Sequence, residues 1–526
     1  MVVVPAAAVQ APGTTAATSC LTAPSLSRLP SLADLQRSEQ MLAALKMRAT
    51  GSPEQARYLR WIGKQLSTIP GLRVSELRYP IDRWTPTGAS LSMLVHGHTE
   101  RLPVADAIPY SRPTGPRGIT APAVYIPDSV QITADNALGR IVVRDAPAGS
   151  VPNGAFFLPA VSWEVYDPNR TIDPTANFYG DFINYNARVT DLRDAAAAGA
   201  AGILFVKPLP TKQIVGHYEP YEGEQWGVPG LFLGADEGKR IIDALTAGRR
   251  PLLRLVDRAV VRHVTTPSIE AVLPGMSAQR IVVDSHTDGT NANEDNGPIA
   301  MVAMARYAAG LPRACRPRTL QFAFSTAHFY QRAGADPSAR DGGAEQLAEQ
   351  LDGDYDRGSV SAVVSIEHLG AKDYEQVPRP GGAPGFELAP TGLPAVRFIG
   401  VTPSPALVAT VDQVVRGYDL QRTILLQGAD LPGATDPAHC TFGGEGTPYE
   451  RHLLPTVGVI SAPQYLYDPA CEMSVLDLPL MRTEIAAYTE LVNRMQTMSE
   501  SEISGGVDAE RALRALGAPG CPSDGA

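Results

Sequence analysis

Residues 280–297 read Arg-Ile-Val-Val-Asp-Ser-His-Thr-Asp-Gly-Thr-Asn-Ala-Asn-Glu-Asp-Asn-Gly, and they point most directly to the fold class. The first six have the pattern of a buried β-strand, which ends on His286. The Asn- and Gly-rich loop that follows contains Asp295, and Gly297 begins a helical pattern that extends to Ala309. A buried strand, a polar loop and a helix in this order predict an α/β fold with a ligand site where the strand ends.

Polar residues also follow two later strand patterns. Residues 319–324 and 360–366 both read as buried strands; His328 comes shortly after the first, and Glu367 directly after the second. Because open α/β sheets bind ligands at the carboxyl ends of their strands, we expect these polar side chains to lie close together. Neighbouring residues of an extended chain point in opposite directions. We therefore expect His368 to face away from Glu367 and to have a structural role.

These residue types suit a metal site. A hydrolytic zinc ion needs imidazole and carboxylate ligands and one open position for water. His286 and Asp288 are two residues apart at a strand end and point the same way, and the loop at Asp295 can turn back toward them. Glu367 ends another strand. Polar residues are also ordinary at loop starts, but the order and context here predict a metal site.

Composition excludes several other classes of protein. The chain has 526 residues, 44% hydrophobic and 19% charged, with a net charge of −10, which is typical of globular proteins. It has no block of Lys and Arg, so we predict no nucleic-acid partner. It also has no apolar run of the roughly 20 residues that span a bilayer, so we predict no transmembrane segment.

Changes in composition and residue pattern along the chain predict four parts. Residues 1–30, rich in Ala, Pro, Ser and Thr, indicate a signal remnant or disordered linker. Residues 31–119 and 263–500 form the main α/β domain, and residues 120–262 form an inserted unit with its own core. The insert contains no compact cluster of histidines and carboxylates. Residues 501–526 are predicted to be a C-terminal tail.

The cysteines favour a location outside the cytoplasm. Cys20 follows a small-residue segment that resembles the end of a lipoprotein signal, although a disordered N-terminus explains it equally. We predict a secreted protein or one lipid-anchored at Cys20. The four remaining cysteines allow two disulfides with three connectivities.

The chain resembles the M28 family of zinc peptidases that carry an inserted protease-associated (PA) domain. The likeness covers roughly residues 38–500 and rests on five segments in the family's order: 49–58 (Ala-Thr-Gly-Ser-Pro-Glu-Gln-Ala-Arg-Tyr), 108–114 (Ile-Pro-Tyr-Ser-Arg-Pro-Thr), 199–205 (Gly-Ala-Ala-Gly-Ile-Leu-Phe), 286–297, and 366–370 (Ile-Glu-His-Leu-Gly). It implies a zinc-exopeptidase-like, three-layer α/β/α domain with an inserted smaller PA-type α/β domain. It also implies that His286, Asp295 and Glu367 bind zinc, with Asp295 bridging to a second zinc and Asp288 orienting His286.

The sequence departs from the family at the second zinc. Where the family has a Glu-Glu pair, this chain has His328 and Phe329, and Tyr467 stands in place of the last histidine ligand. We therefore predict at most one tightly bound zinc per chain, and none if the site is degenerate. His328 could act as the general base, as a third nitrogen ligand, or as a hydrogen-bonded remnant, and Glu445 is the alternative base.

Two functions follow from this pattern. The first is a metal-dependent hydrolase of peptides or related amides, with metal-activated water as the nucleophile. The second is a catalytically inactive binding or scaffold protein, which the lost Glu-Glu pair favours. A third hypothesis, a cyclase-type transfer on a single zinc, has less support. The resemblance implies that single-zinc cyclases of this fold use the ligand positions that are missing here. The sequence leaves the oligomeric state open.

Overall fold

The computed structural model describes residues 23–95, 97–221, 223, 225–330, 343–427, 442–469 and 472–517. Cys20 therefore lies outside the described residues. Helices and strands alternate along most of this chain, which confirms the predicted α/β class.

Strands form the centre of the molecule. Their bounds are β1 Arg73–Val95, β2 His98–Leu102, β3 Asp106–Ala107, β4 Ile119–Tyr125, β5 Ile141–Asp145, β6 Gly149–Pro152, β7 Ser162–Tyr166, β8 Asn177–Gly180, β9 Gly202–Val206, β10 Gly230–Leu233, β11 Leu252–Leu273, β12 Arg280–His286, β13 Thr319–Ser325, β14 Val360–Ile366, β15 Lys372–Pro378, β16 Phe386–Pro394, β17 Arg397–Val401, β18 Thr423–Leu426 and β19 Thr456–Ser461. One 15-stranded sheet runs in the order β3-β10-β9-β5-β4-β11-β13-β12-β14-β19-β17-β18-β7, with β1 and β2 attached through β11. The pairs β15–β16 and β6–β8 form two small sheets.

Helices pack around this sheet. Their bounds are α1 Leu32–Leu45, α2 Pro53–Leu66, α3 Ala134–Ala137, α4 Tyr185–Ala197, α5 Ala235–Thr246, α6 Gly297–Ala309, α7 Gly343–Asp356, α8 Pro405–Gly417, α9 Gly446–Arg451, α10 Leu478–Met495, α11 Glu500–Ser504 and α12 Val507–Ala515. Among the described residues, no helix combines the length and apolar composition needed to cross a membrane.

Local sequence signals explain where α2 begins. The Ser52 side chain accepts a hydrogen bond from the Gln55 amide, and Pro53 occupies the first turn, where its missing N–H costs nothing. Tyr58, Ile62 and Leu66 recur at helical spacing and are buried. The helix therefore presents one apolar face to the core, as the sequence predicts.

Four neighbouring parallel strands, β13-β12-β14-β19, place the polar strand ends on one edge of the sheet. Strands β13 and β14 are buried at every residue, which fits a parallel sheet covered on both faces. The helix α6 packs its apolar residues into the same core. The carboxyl ends of these strands are thus held by a rigid, close-packed layer.

A long two-stranded ribbon joins this core to a second one. Strand β1 pairs with β11 from Arg73 opposite Val272 to Leu94 opposite Leu252. Thr120 lies opposite Arg254 of β11, and His263 lies further along the same strand. The second core draws on residues of β1–β3 as well as on the 120–262 segment.

The segment 120–262 is also connected to the far end of the sheet. Strand β7 pairs with β18, so part of this segment extends the main sheet at its edge. The domain boundaries at 119 and 263 remain a prediction.

The C-terminal region is more structured than the sequence suggests. Residues 501–526 were expected to be a tail, but α12 packs against α7, and Arg511 bonds to the main-chain oxygens of His452 and Leu453. Val507 is the one apolar residue of α12 that is buried, so charged pairs rather than an apolar face hold the helix. Cys315 is disulfide-bonded, and the other four cysteines lie outside the described residues.

The carboxylate of Asp352 on α7 is central to that contact. It lies 2.8 Å from Arg514, 2.7 Å from Arg511 and 3.3 Å from Nδ1 of His452. These cations hold the pKa of Asp352 well below its usual range, although burial alone would raise it.

We predict that Asp352→Asn lowers the free energy of unfolding by about 1.5–3 kcal/mol, the typical worth of hydrogen bonds to a charged group. Urea unfolding measures this loss. Asp243→Asn is the matched control, because Asp243 forms an exposed pair with Lys239 and should contribute little. Equal stability of the two variants would contradict the assigned contact.

Candidate active site

The polar strand ends meet in one place. His286 is the last residue of β12, Glu367 directly follows β14, and His328 comes three residues after β13. All three lie at the carboxyl edge of parallel strands, where open α/β sheets bind ligands. The structure therefore brings together four of the six residues that the sequence singles out for this site, because Glu445 joins these three from the loop before α9.

The orientation of His286 is fixed by its main chain surroundings. Its Nδ1 atom lies 2.8 Å from the main-chain oxygen of Asp288, which can only accept, so Nδ1 carries the proton. Nε2 then faces Glu367 Oε2 at 3.0 Å and Glu294 Oε1 at 3.7 Å. An unprotonated nitrogen and a carboxylate repel at this distance unless a proton or a metal ion lies between them.

The charges in this pocket depend on one another. Burial alone would lower the pKa of His286, but Glu294 and Glu367 raise it well above its usual value. Burial alone would raise the pKa of Glu367, but His368 and His286 lower it to about 2. The pocket thus keeps the Glu367 carboxylate ionised next to a positively charged His286.

His368 belongs to the same cluster, so the prediction that it faces away from Glu367 is wrong. Its φ of 58° ends the extended chain directly after β14 and redirects the side chain. Nδ1 bonds to the main-chain oxygen of Ser461, and Nε2 lies 3.6 Å from both Glu294 and Glu367. The alternation rule fails here because it applies only while the backbone stays extended.

His328 and Glu445 form a pair beside this cluster. His328 Nδ1 lies 2.8 Å from Glu445 Oε1, and the His328 ring stacks on His286 with a centroid distance of 4.1 Å. Burial, together with the neighbouring His286, lowers the pKa of His328 to about 4. Burial raises the pKa of Glu445 to about 8. Both shifts favour uncharged forms, so the pair can hold a transferable proton near neutral pH.

Asp295 is engaged elsewhere. Arg48 donates to both oxygens of its carboxylate, from Nε at 2.7 Å and from Nη2, and both side chains are fully buried. Arg48 also donates to the main-chain oxygen of Asn291, and Tyr58 donates to the main-chain oxygen of Asp295 at 3.0 Å. Arg48 could not be singled out from the sequence, because a lone arginine before a helix carries no distinctive signal.

Asp288 supports the pocket through its main chain and side chain separately. Its main-chain oxygen, rather than its carboxylate, holds His286. The carboxylate accepts from Thr50 and from the Phe329 amide at 2.9 Å, so it fixes the loop that carries His328.

Two groups of side chains at these strand ends could hold a metal ion. The first is His286, His328 and Glu367, and the second is His286, Glu294 and His368; within each group the ligand atoms lie within 4.8 Å of one another. His286 is common to both. Asp295 belongs to neither, because Arg48 occupies both of its oxygens. Glu294, its neighbour in sequence, enters the cluster instead.

The cavity next to this cluster has a volume of about 420 Å³. Its apolar lining includes Phe156, Phe178, Phe182 and Phe398. Acidic residues and histidines of the cluster also line it. The cavity therefore offers an apolar space beside the ionisable groups.

Aromatic side chains fill the positions where the resemblance implies a second zinc. Phe329 and Tyr467 are 1% and 5% exposed and pack with Tyr218, Tyr221 and Leu466. The Phe329 ring centroid lies 6.3 Å from that of His286. This cluster, which we call the aromatic wall, borders the cavity at Tyr221 and Tyr467.

Comparisons with known proteins agree on the fold. Neither a protein-family model nor a curated protein matches the sequence. Among solved structures, the zinc aminopeptidase BSAP from Bacillus subtilis is 16% identical, with a TM-score of 0.59 over 90% of this chain and 98% of that one. A Peptidase M28 precursor from Shewanella amazonensis SB2B is 15% identical, with a TM-score of 0.58 over 89% and 98%. An aminopeptidase from Aneurinibacillus sp. strain AM-1 is 16% identical, with a TM-score of 0.55 over 89% and 94%.

The predicted resemblance to M28 zinc peptidases is therefore confirmed at the level of the fold. The chain has the fold of zinc aminopeptidases over about nine-tenths of its length. Sequence identities this low support a shared fold and not a shared activity.

The Arg48–Asp295 pair yields a stability prediction. Arg48→Met leaves the Asp295 carboxylate buried without its partner, and removing one partner of a buried pair costs about 3–5 kcal/mol. Chemical denaturation should show a loss of this size. Arg37→Met is the control, because Arg37 forms an exposed pair with Asp34 and should have no measurable effect. An Arg48→Met variant as stable as the parent protein would contradict the buried pair.

Proposed function

We propose that the chain is a metal-dependent hydrolase of peptide or amide bonds that acts at the cluster around His286. One observation carries the proposal: Nε2 of His286 and the carboxylate of Glu367 face each other at 3.0 Å at the edge of a parallel sheet. Glu294 and His368 complete a nitrogen and oxygen set of the kind zinc prefers. The fold of zinc aminopeptidases supports the same function.

The cluster fits a zinc ion. Within the described residues, His368 Nε2 and Glu294 Oε2 are buried without a hydrogen-bond partner, and both are potential ligand atoms. A bound zinc would activate a water molecule by lowering its pKa to about 7. We propose that His286 and Glu367 hold it and that Glu294 supplies the oxygen that the resemblance assigns to Asp295. His368 Nε2, which lies 3.6 Å from both glutamates, is a further nitrogen within reach of the ion.

Glu445 and His328 are suited to proton transfer. A general base works best when its pKa lies near the operating pH, and burial places that of Glu445 at about 8. The 2.8 Å contact lets Glu445 pass a proton to or from His328. A Cβ on Gly444 would lie only 1.8 Å from Glu367 Oε1, so glycine at this position lets Glu445 approach the cluster.

One metal ion, rather than two, is proposed for this pocket. Phe329 and Tyr467 have no ligand suited to zinc at the positions of the second ion. Asp295, which would bridge two ions, is neutralised by Arg48. The apolar Phe residues of the cavity favour a substrate with a bulky apolar group next to the scissile bond.

Location and domain organisation belong to the same proposal. A disulfide at Cys315 fits an oxidising compartment, which supports a secreted or lipid-anchored protein. We further propose that residues 120–262 are a PA-like insert.

The second candidate function is a binding protein without catalysis. It is favoured by the aromatic wall and by the Arg48–Asp295 pair, which together remove the bridged two-metal arrangement. In that case the apolar cavity would hold a ligand with an apolar group. Zinc binding without turnover of any aminoacyl or peptide substrate would favour this function over the hydrolase.

The metal ligands can be tested by zinc content after dialysis. We predict that Glu367→Gln and Glu294→Gln weaken zinc binding by more than the roughly 10–100-fold that outer hydrogen-bond partners cost. Asp295→Asn should weaken zinc binding less, by no more than the roughly 10–100-fold of an outer partner, because its carboxylate bonds Arg48 instead of the metal. Loss of zinc in Asp295→Asn together with its retention in Glu294→Gln would contradict this assignment.

The proton-transfer residues can be tested by kinetics on phenylalanine p-nitroanilide. We predict that Glu445→Gln lowers kcat by about 10²–10⁴-fold, the usual contribution of a general base, while zinc content stays unchanged. His328→Ala should also reduce activity and leave the metal in place. His263→Ala, which removes an exposed histidine paired with Asp82, is the control. Full activity in both pocket variants would remove the proposed proton acceptors.

A further inference from the structure

A second buried group of ionisable side chains lies next to Tyr467 of the aromatic wall. Asp181, His217 and Glu219 bring potential ligand atoms within 4.8 Å of one another, and their side chains are at most 8% exposed. The His217 ring centroid lies 6.4 Å from that of Tyr467. We propose that Asp181, His217 and Glu219 bind a divalent first-row cation, such as zinc or manganese, in addition to the ion of the pocket.

The orientation of His217 supports this site. Nδ1 lies 2.7 Å from Oδ1 of Asp468, a contact that places the ring proton on Nδ1. Nε2 is then free to coordinate and faces Glu219 Oε2 at 3.4 Å. A histidine held by a carboxylate through one nitrogen, with the other facing carboxylates, is the usual arrangement of a metal-binding imidazole.

An unpartnered oxygen points to a missing ligand. Glu219 Oε1 is buried and has no hydrogen-bond partner in the described part of the chain. A buried carboxylate oxygen without a partner is costly, so such an atom usually binds an ion or an ordered water. The other oxygen of this carboxylate, Oε2, faces His217, so Oε1 is the oxygen that is left to bind an ion.

The charges of the group can accommodate a divalent ion. The group contains three buried carboxylates, those of Asp181, Glu219 and Asp468, and Lys207 pairs with Asp181. Arg188, the next cation, is engaged by Asp191 at 3.0 Å. Burial alone would lower the pKa of His217, but Asp468 and Glu219 raise it to about 9, so the ring is protonated when no ion is bound. A divalent ion that replaced the Nε2 proton would, together with Lys207, offset all three negative charges. One imidazole with carboxylates suits zinc or manganese better than calcium or magnesium, which prefer oxygen alone.

The position of the group indicates its role. Asp181, His217 and Glu219 belong to the 120–262 segment, whereas Asp468 belongs to the main domain. Nearby, the Tyr218 amide donates to the main-chain oxygen of Tyr467 at 3.1 Å. A cation here would fasten the segment to the loop that carries Tyr467, and would so hold one wall of the cavity. The expectation that residues 120–262 contain no compact cluster of histidines and carboxylates is wrong, because the fold brings Asp181 next to His217 and Glu219, which are remote from it in sequence.

The test separates this site from the pocket cluster. A host variant, His286→Ala with Glu367→Gln, removes the pocket ligands; after zinc loading and dialysis, it should still retain a stoichiometric cation by mass spectrometry. Adding Glu219→Gln should abolish that retention. Asp468→Asn should weaken it by about 10–100-fold, the usual cost of losing a partner that orients a ligand.

The parent protein provides a second comparison that needs no pocket mutation. Glu219→Gln alone should bind one cation fewer than the parent protein, whereas His263→Ala, an exposed histidine, should match it. Zinc added to the metal-free protein should also raise its Tm more than it raises that of Glu219→Gln. A host variant that retains no cation, or equal zinc content and equal Tm shifts in the parent protein and Glu219→Gln, would overturn the proposal.

Discussion

The buried pair of Arg48 and Asp295 is the contact on which the candidate site depends. A guanidinium and a carboxylate with no exposure to solvent are costly to bury, and only their mutual hydrogen bonds offset that cost. The pair joins the segment before α2 to the loop after β12, and Arg48 also holds the Asn291 main chain. It thereby fixes the path of the loop that turns Glu294 toward His286. In the proposed site, the position that the resemblance assigns to a metal-bridging carboxylate has a structural role.

A second constraint is the concentration of charge at one strand edge. Glu294, Glu367 and Glu445 lie with three histidines in a buried space, where isolated carboxylates are unfavourable. The histidines offset part of this negative charge. Burial raises the pKa of Glu445, so this residue can bind a proton and lose its own charge. A metal ion at His286 and Glu367 would offset the remainder. The same electrostatic requirement therefore links the stability of the pocket to its chemistry.

Much of the fold could be read from the sequence, because its central strands are buried on both faces and end in polar residues. The strand that ends on His286 and the helix that begins at Gly297 agree with the structure at these residues. The pairing of β7 with β18 could not be read, since no local pattern shows which distant strand an edge strand joins. The helix α12 was missed because charged contacts, rather than an apolar stripe, hold it in place.

The candidate site was predictable only in part. Sequence spacing identified His286, His328 and Glu367 because each follows a strand, and strand ends are brought together by the sheet. It could not identify His368, whose positive φ is a property of the folded turn. Nor could it distinguish Glu294 from Asp295, because the choice depends on Arg48, which is remote in sequence.

The most direct test of the account is anomalous diffraction at the zinc edge from crystals of the zinc-loaded protein. The account predicts a peak in the pocket about 2.0–2.2 Å from a nitrogen of His286 and an oxygen of Glu367, with Arg48 still bonded to Asp295. A peak coordinated by Asp295 with Arg48 displaced, or no peak at His286, would contradict it.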